Sequence, residues 1–303
     1  MRAFFEEMFF APRRYHRLVS MLLLPLSSMY GTGMWLRRKF AKRMSFGIPI
    51  VSVGNLIVGG SGKTPFVIAV ASRCKDVAVV SRGYGRQSKG LVEVSRKGQV
   101  LVDVTQSGDE AMLMAGTLPN ASVVVSEDRV LAIDFAKKQG AKIIILDDGF
   151  NRVDIEKFEI LLEPREIQNH YVFPSGPFRE FFSQRKYADS IAKEGIDFLR
   201  QVEFVDVTEK MLLITAISNP TRLDAYLPAN VVGKIYLKDH AYFDESALQE
   251  LLKTHKALSI LCTSKDRVKM KGFKLPISEM KLKLEIKNEI FTQIDEYIKG
   301  YQS

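Results

Sequence analysis

The sequence predicts an α/β protein: a mainly parallel sheet flanked by helices, followed by a smaller C-terminal α/β domain and preceded by a helical segment of different character. Three observations point there. Beyond Gly47, short runs rich in Val and Ile alternate with helix-like stretches, a glycine-rich turn separates the first run from the first helix, and the first 43 residues hold most of the net charge. With 303 residues, 46% of them hydrophobic, the chain has material for one large domain or two unequal ones.

The N-terminal segment, residues 1–45, is read first. Residues 1–43 carry nine Lys or Arg against Glu6 and Glu7, a net of +7, which leaves only +2 of the total +9 for the other 260 residues. A protein that tracks a nucleic-acid backbone spreads its cations over the main domain, so nucleic acid is not the expected partner. Here the cations bracket Leu18–Leu36, 19 residues without a charge, preceded by Phe4, Phe5, Phe9 and Phe10. One helix of that length, at about 1.5 Å per residue, nearly crosses a hydrocarbon layer. Pro25, Gly31, Gly33 and arginines on both flanks argue against a span and for an anchor lying in an anionic membrane surface, peripheral or monotopic. The alternative is a helix packed on the protein's own core. Arginines recurring after the apolar part argue against a cleaved leader. Cys74 and Cys262, far apart, suggest neither a disulfide framework nor a zinc site.

Residues 46–207 are expected to form the main domain. Strands are predicted at 48–53, 77–81, 122–125 and 142–146, and helices at 65–73, 109–116 and 128–138. Such alternation gives right-handed crossovers and places binding sites beyond the carboxyl ends of the strands. From Tyr187 to about Val207 the pattern blurs. Residues 208–303 then supply strands at 211–216, 231–237 and 257–261 and a helix at 244–254 with Asp244 as N-cap.

The first strand runs through Gly-Asn-Leu-Ile-Val-Gly-Gly-Ser-Gly-Lys-Thr-Pro, residues 54–65, into a helix. Gly59, Gly60, Ser61 and Gly62 let backbone N–H groups surround phosphate oxygens, Lys63 supplies a cation for the β- and γ-phosphates, and the Thr64 hydroxyl suits Mg2+. This is a P-loop NTPase-like signature, although strict spacing would put a glycine where Ile57 stands. Asp147 and Asp148 follow the Ile-Ile-Ile-Leu146 strand, where a P-loop fold places the acid for magnesium, though aspartates also end strands as turn residues. Asp109 and Glu110 open a helix, the usual place for a cap or dipole partner. His240 is one of four histidines, and a lone histidine is more often structural.

Together these motifs resemble the tetraacyldisaccharide 4′-kinase family, the lipid A 4′-kinases. The resemblance runs from Ser52 to about Asp266 and adds Ser81-Arg-Gly-Tyr-Gly-Arg86, Gly108-Asp-Glu110, Asp147-Asp-Gly-Phe150, Pro174-Ser-Gly-Pro-Phe-Arg-Glu180, Asp239-His240 and Thr263-Ser-Lys-Asp266. It implies transfer of the γ-phosphate of ATP, with Mg2+, to the 4′-hydroxyl of an acylated disaccharide 1-phosphate at the cytoplasmic face of the bacterial inner membrane, in lipid A biosynthesis. By the same resemblance Asp109 and His240 activate the acceptor hydroxyl. Asp147, Asp148 and Glu180 serve the metal, and Arg129 and Arg179 lie near phosphates or substrate. The family's own phosphate loop lacks the early glycine. After Asp-Asp-Gly-Phe the family usually continues with Gln-His, whereas Asn151-Arg152 stand here. Since Asp109 and His240 fall in different expected domains, closure around substrate is expected to assemble them.

Two alternatives are a P-loop kinase for another small molecule and a non-enzymatic membrane-bound P-loop ATPase. The first leaves Leu18–Leu36 without a purpose; the second requires a lysine before the paired glycines, where Val58 stands. No Asn-Lys-x-Asp guanine-reading motif occurs, and no obligate protein partner is expected.

Overall fold

The structure is a computed structural model that describes residues 2–59 and 62–301. Gly60 and Ser61, expected in the phosphate loop, lie outside the described residues. In chain order the N-terminal part holds α1 (Arg2–Phe10), α2 (Arg14–Leu22), α3 (Leu24–Phe40), β1 (Ile50–Gly54) and α4 (Lys63–Ala71). There follow β2 (Val77–Ser81), β3 (Val92–Arg96), β4 (Gln99–Val100), α5 (Val104–Ser107), α6 (Asp109–Thr117), β5 (Ser122–Val125), α7 (Arg129–Lys138) and β6 (Ile143–Asp147). The remainder comprises β7 (Phe158–Glu163), β8 (Ser190–Lys193), β9 (Phe198–Val205), β10 (Met211–Thr215), β11 (Val231–Tyr236), α8 (Glu245–Thr254), β12 (Ser259–Thr263), α9 (Ser264–Arg267), β13 (Ile277–Ile286) and α10 (Asn288–Gly300).

The chain groups into two compact units that do not follow chain order. The first takes the residues up to Lys63, Lys142–Leu199 and those from Ile286 onward; the second takes Thr64–Ala141 and Arg200–Glu285. This interleaving differs from three consecutive segments divided near 46 and 208.

In the first unit β6, β1, β7 and β8 lie side by side, all parallel. Every residue of β1 and β6 is buried, the mark of parallel strands covered on both faces. Register sets Val53 opposite Asp147, so the segments leaving β1 and β6 emerge together at the carboxyl end. There the backbone of Phe150 passes over Gly54: a Cβ on that glycine would lie 2.5 Å from the Phe150 Cβ and 2.8 Å from its N.

The second unit holds β2 parallel to β5, with β3 antiparallel to β5 and β4 antiparallel to β3. It also holds nearly all of a five-stranded sheet in the order β11-β10-β12-β13-β9. Leu212, Ile214, Ile260 and Cys262 pack under Leu248 and Leu252 of α8, while Met211, Leu213, Leu261 and Met280 fill the opposite face, the alternation a two-sided sheet requires. Asp244 caps α8 through the Ala247 N–H, as its residue type predicts.

The uncharged stretch 18–36 is broken into two helices at Leu23, with Pro25 in the first turn of α3. Among the described residues no helix is long and apolar enough to cross a membrane. The two helices bury small and polar residues and expose large apolar ones. His16, Ser20, Ser27 and Gly31 are buried, the Ser27 hydroxyl donates to Ser175 Oγ at 2.6 Å, and a Cβ on Gly31 would lie 2.5 Å from the Phe181 ring. Leu18, Met21, Leu22, Leu26 and Met29 face outward, Leu22 at 80% and Met29 at 73% exposure. Water-facing helices normally show the reverse pattern.

Gly54→Ala is expected to lower the stability of the folded chain by about 1–3 kcal/mol through overpacking against Phe150. The measurement is the shift in denaturant midpoint at constant m-value; an unchanged midpoint would mean that the Phe150 backbone yields without strain.

Candidate active site

In the first unit, residues 55–62 connect β1 to α4, with Gly59 and Gly62 at φ +98° and +80°. A second segment holds this loop in place. Leu56 O accepts the Arg179 N–H at 2.7 Å, Val58 N–H donates to Pro177 O at 2.9 Å, and Ile57 bridges Phe178. Ile57 is buried in a cluster with Leu56, Phe150, Leu161, Val172 and Phe178. The position where strict spacing would have glycine is therefore a core position, and the glycines are confined to the residues after it.

Lys63 Nζ lies 3.1 Å from Asn55 Oδ1 and 3.6 Å from Asp148 Oδ1. Asp148, whose N–H donates to Val53 O, sits at φ +55°, and both its carboxylate oxygens accept from Arg179 Nη1, at 3.1 and 2.9 Å. Asp147 ends β6 and is buried. One cluster thus unites Lys63, Asp148 and Arg179, residues far apart in sequence that the β1–β6 register and the 174–180 segment bring together.

Glu180 is placed differently. It is buried, and its two oxygens accept from Arg38 Nε and Nη2, both at 2.8 Å. Arg38 also donates to Phe150 O at 3.0 Å, and its guanidinium lies 4.4 Å from the centre of the Phe150 ring. Arg37 donates to Asn151 O at 2.8 Å. The last turn of α3 therefore grips the loop after Asp147-Asp148. Among the described residues no three His, Cys, Asp or Glu are grouped to hold a metal ion, so Asp147, Asp148 and Glu180 do not form a three-carboxylate cage.

In the second unit, Asp109 opens α6 behind Gly108 and is buried, unlike an ordinary first-turn acid. Its Oδ2 lies 2.9 Å from His240 Nδ1. The expectation that separate domains close to form this pair is corrected: both residues belong to the same unit. His240 has φ +61°, and its N–H donates to Ala216 O at 2.9 Å. Tyr84 packs on the imidazole with centroids 5.0 Å apart, and a Cβ on Gly85 (φ +78°) would lie 3.2 Å from Nδ1. The Ser-Arg-Gly-Tyr-Gly-Arg turn is thus one wall of the histidine.

Burial pushes the Asp109 carboxyl up, but the His240 hydrogen bond and the charges of Lys265, His240 and Lys269 outweigh it, and the group is held below the usual carboxylate range. A carboxylate at Oδ2 makes Nδ1–H the donor and leaves Nε2 as the nitrogen able to take a proton. Lys265 is raised: burial alone would lower it, but Glu110, whose Oε1 lies 3.0 Å away, and Asp109 hold it charged. Arg129, at the start of α7, is buried and donates through Nη1 to Ser126 O.

Sequence reasoning missed Arg38, Lys265 and Lys269. Lys265 stands inside the Thr-Ser-Lys-Asp motif and carried a signal; Arg38 was submerged in a cationic run, and Lys269 stands in no motif.

A glycine-rich loop between a parallel strand and a helix, with a lysine and carboxylates from the neighbouring strand, defines a P-loop nucleotide-binding protein. The family model for tetraacyldisaccharide-1-P 4′-kinase matches residues 19–206 and 197–299, and the chain belongs to that family. It is 46% identical over 302 residues to the tetraacyldisaccharide 4′-kinase of Helicobacter pylori strain J99, covering 99% of this chain and 96% of the relative. It is 42% identical over 307 residues to the enzyme of that name from Aliarcobacter butzleri, covering 98% and 97%. The crystal structure of LpxK from Aquifex aeolicus in complex with ATP matches with a TM-score of 0.78 at 28% identity, covering 92% of this chain and 99% of that one.

Lys63→Ala leaves the buried Asn55 Oδ1 without its partner, so the variant should fold with a stability lowered by about 1–3 kcal/mol while phosphoryl transfer falls by ~10² or more. Turnover within a few-fold of normal in a folded variant would remove Lys63 from the phosphate site.

Proposed function

We propose that this chain transfers the γ-phosphoryl group of ATP to the 4′-hydroxyl of a tetraacylated glucosamine disaccharide 1-phosphate, a step of lipid A biosynthesis, working at the cytoplasmic face of the inner membrane. The observation that carries this reading is the Asp109–His240 hydrogen bond at 2.9 Å. A kinase acting on an alcohol needs a group to take the hydroxyl proton, whereas a P-loop protein that only binds or hydrolyses ATP as a switch has no use for a buried carboxylate–imidazole pair.

In this reading His240 Nε2 receives the proton of the 4′-hydroxyl as its oxygen bonds to the γ-phosphorus and the bond to the bridging oxygen breaks, releasing ADP. Asp109 fixes the tautomer and stabilises the imidazolium that results. The glycine-rich loop after β1 is assigned to the phosphates, Lys63 neutralises charge developing on the transferred group, and Arg179 and Arg129 are assigned to phosphate or substrate oxygens. The carboxylates fit Mg2+, which takes oxygen ligands and keeps waters and nucleotide phosphates beside one or two carboxylates; Asp147 and Asp148 would hold it, and it would supply charge neutralisation to the phosphates. Glu180, engaged by Arg38, braces the Asp147–Phe150 loop.

The outward apolar residues of α2 and α3 support a membrane-surface location. Leu18, Leu22, Leu26 and Met29 would enter the boundary of headgroups and acyl chains while the exposed Arg14, Arg17, Lys39, Lys42 and Arg43 meet anionic lipid. A lipid acceptor is then delivered in the layer where the protein sits.

Purified protein given labelled ATP and a tetraacyldisaccharide 1-phosphate is expected to yield a singly phosphorylated lipid product. His240→Ala and Asp109→Ala should each slow single turnover by ~10² to 10⁴, with the double variant little worse than the worse single one. No lipid product, or losses that multiply, would sink the pairing. Leu22→Ser/Leu26→Ser/Met29→Ser leaves the buried face of α3 intact and should reduce sedimentation with anionic vesicles while ATP binding persists. Undiminished sedimentation would place the contact elsewhere.

A further inference from the structure

The Thr263-Ser-Lys-Asp266 motif is left without a task by the chemistry above, and it leads to a cation that no motif marks. Asp266 is fully buried. Its Oδ2 accepts from the Thr215 hydroxyl at 2.6 Å and the Thr263 hydroxyl at 2.8 Å, and its Oδ1 accepts the Ala216 N–H at 3.1 Å. It is thereby tied to the carboxyl ends of β10 and β12. Its ionic partner is Lys269, three residues on, with Nζ at 3.1 Å from Oδ1 and a side chain 2% exposed. Burying an ammonium is costly unless oxygens surround it. Besides Asp266, Lys269 Nζ meets Ala241 O at 3.1 Å and Asp109 Oδ2 at 3.8 Å.

These partners are the ones that matter to His240. The His240 N–H donates to the oxygen of Ala216, the residue whose N–H Asp266 holds, and Lys269 holds the carbonyl of the next residue, Ala241. The histidine, at φ +61° and so in a conformation it would not keep unaided, is pinned on both sides through one carboxylate. On the Asp109 side, 3.8 Å is too long for a hydrogen bond. Lys269 therefore acts there as a charge and leaves Oδ2 to the imidazole.

We propose that Lys269, seated by Asp266, is a positioning residue for the phosphoryl-transfer base: it fixes the His240 loop and keeps the Asp109 carboxylate as the acceptor of Nδ1–H, so that Nε2 faces the reaction. This rests on the reading of Asp109 and His240 as the acceptor-activating pair. Other titratable groups around the pair are Asp239, whose Oδ1 is 3.7 Å from Nε2, Lys265, 3.8 Å from Asp109 Oδ1, Glu110 bound to Lys265, Tyr84 on the ring, and Tyr242, which Asp109 helps to raise after burial. Removing the Lys269 charge makes the pair easier to protonate, so the base stays protonated to higher pH.

The test is the pH profile of single turnover for the full-length protein with saturating ATP and lipid acceptor. Lys269→Met is expected to move the acid limb upward by about one pH unit and to lower the plateau roughly ten-fold, with KM for ATP unchanged. Lys269→Arg, which keeps the charge, should return the limb toward that of the parent. If Lys269→Met does not fold, Lys269→Met/Asp266→Asn leaves no unpaired charge buried and should move the limb in the same direction. A folded variant with an unmoved limb overturns the proposal, whether its plateau is normal or merely lower, because lowered activity at an unchanged limb is what a structural ion pair gives. His240→Ala is run alongside: if it turns over normally, the base assignment itself falls, whereas a damaged His240→Ala with an unmoved Lys269 limb removes only the role of Lys269.

Discussion

The nucleotide half of the molecule depends on the parallel pairing of Ile50–Gly54 with Ile143–Asp147. With Val53 opposite Asp147, the glycine-rich loop and the carboxylate loop leave the sheet at the same level, and the Asp148 N–H closes on Val53 O. A one-residue slip would turn every side chain of the strand to the other face and carry Asp148 away from Lys63. Close approaches at the strand end exclude that slip: a Cβ on Gly54 would lie 2.5 Å from Phe150 and one on Gly149 would lie 2.4 Å from Ser52 Oγ, so a slip would set valine side chains where only glycine and serine leave room. Gly54 then lets Phe150 lie across the strand end, and Phe150 gives Arg38 a ring and a carbonyl to hold.

In the other half the governing constraint is a set of buried charges that must satisfy one another. Asp109 and Asp266 carry charge where water does not reach, and Lys269 meets both. Low dielectric makes such a set exacting: each member is held by the others, and removing one leaves the rest unpaired. The His240 imidazole is held within that set by Asp109 Oδ2 at 2.9 Å from Nδ1. Tyr84 and Gly85 complete it by occupying the space against the ring.

Much of the scaffold was legible in the sequence. Strands predicted at 77–81 and 122–125 stand as predicted, that at 211–216 is one residue shorter, and Asp244 caps its helix. Buried parallel strands announce themselves as unbroken Val and Ile runs, and caps have a short-range cause. The blurred stretch after Tyr187 contains β8 and β9, and Phe198–Val205 alternates exposed Leu199 and Gln201 with less exposed neighbours, so no apolar run forms. The site divides the same way. Lys63 and Asp148 sit where motif and strand end put them, whereas the partner of Glu180 was hidden in Arg37-Arg38-Lys39, a run read as membrane-facing although the Arg38 side chain is only 5% exposed. Charge read along a chain does not say which member of a run turns inward. Ile57 illustrates the converse: an apparent defect in a motif was a core residue held by Phe178.

The interleaved grouping of the chain bears on how the protein is made. The first unit takes its last helix from beyond Ile286, and the second is completed by Arg200–Glu285 after the chain has left it at Ala141. Asp109 and His240 are 131 residues apart. Neither unit therefore has all of its elements until late in synthesis: the first lacks its last helix until the chain has passed Ile286 and the second lacks its five-stranded sheet until Glu285. While the ribosome is still working, α1 to α3 emerge long before Phe181 and Ser175, their partners, exist. For that interval the Ser27 hydroxyl and the space at Gly31 have no partner to close on, and the order of elements along the chain leaves the buried face of the helical pair uncovered until the middle of the chain has been made.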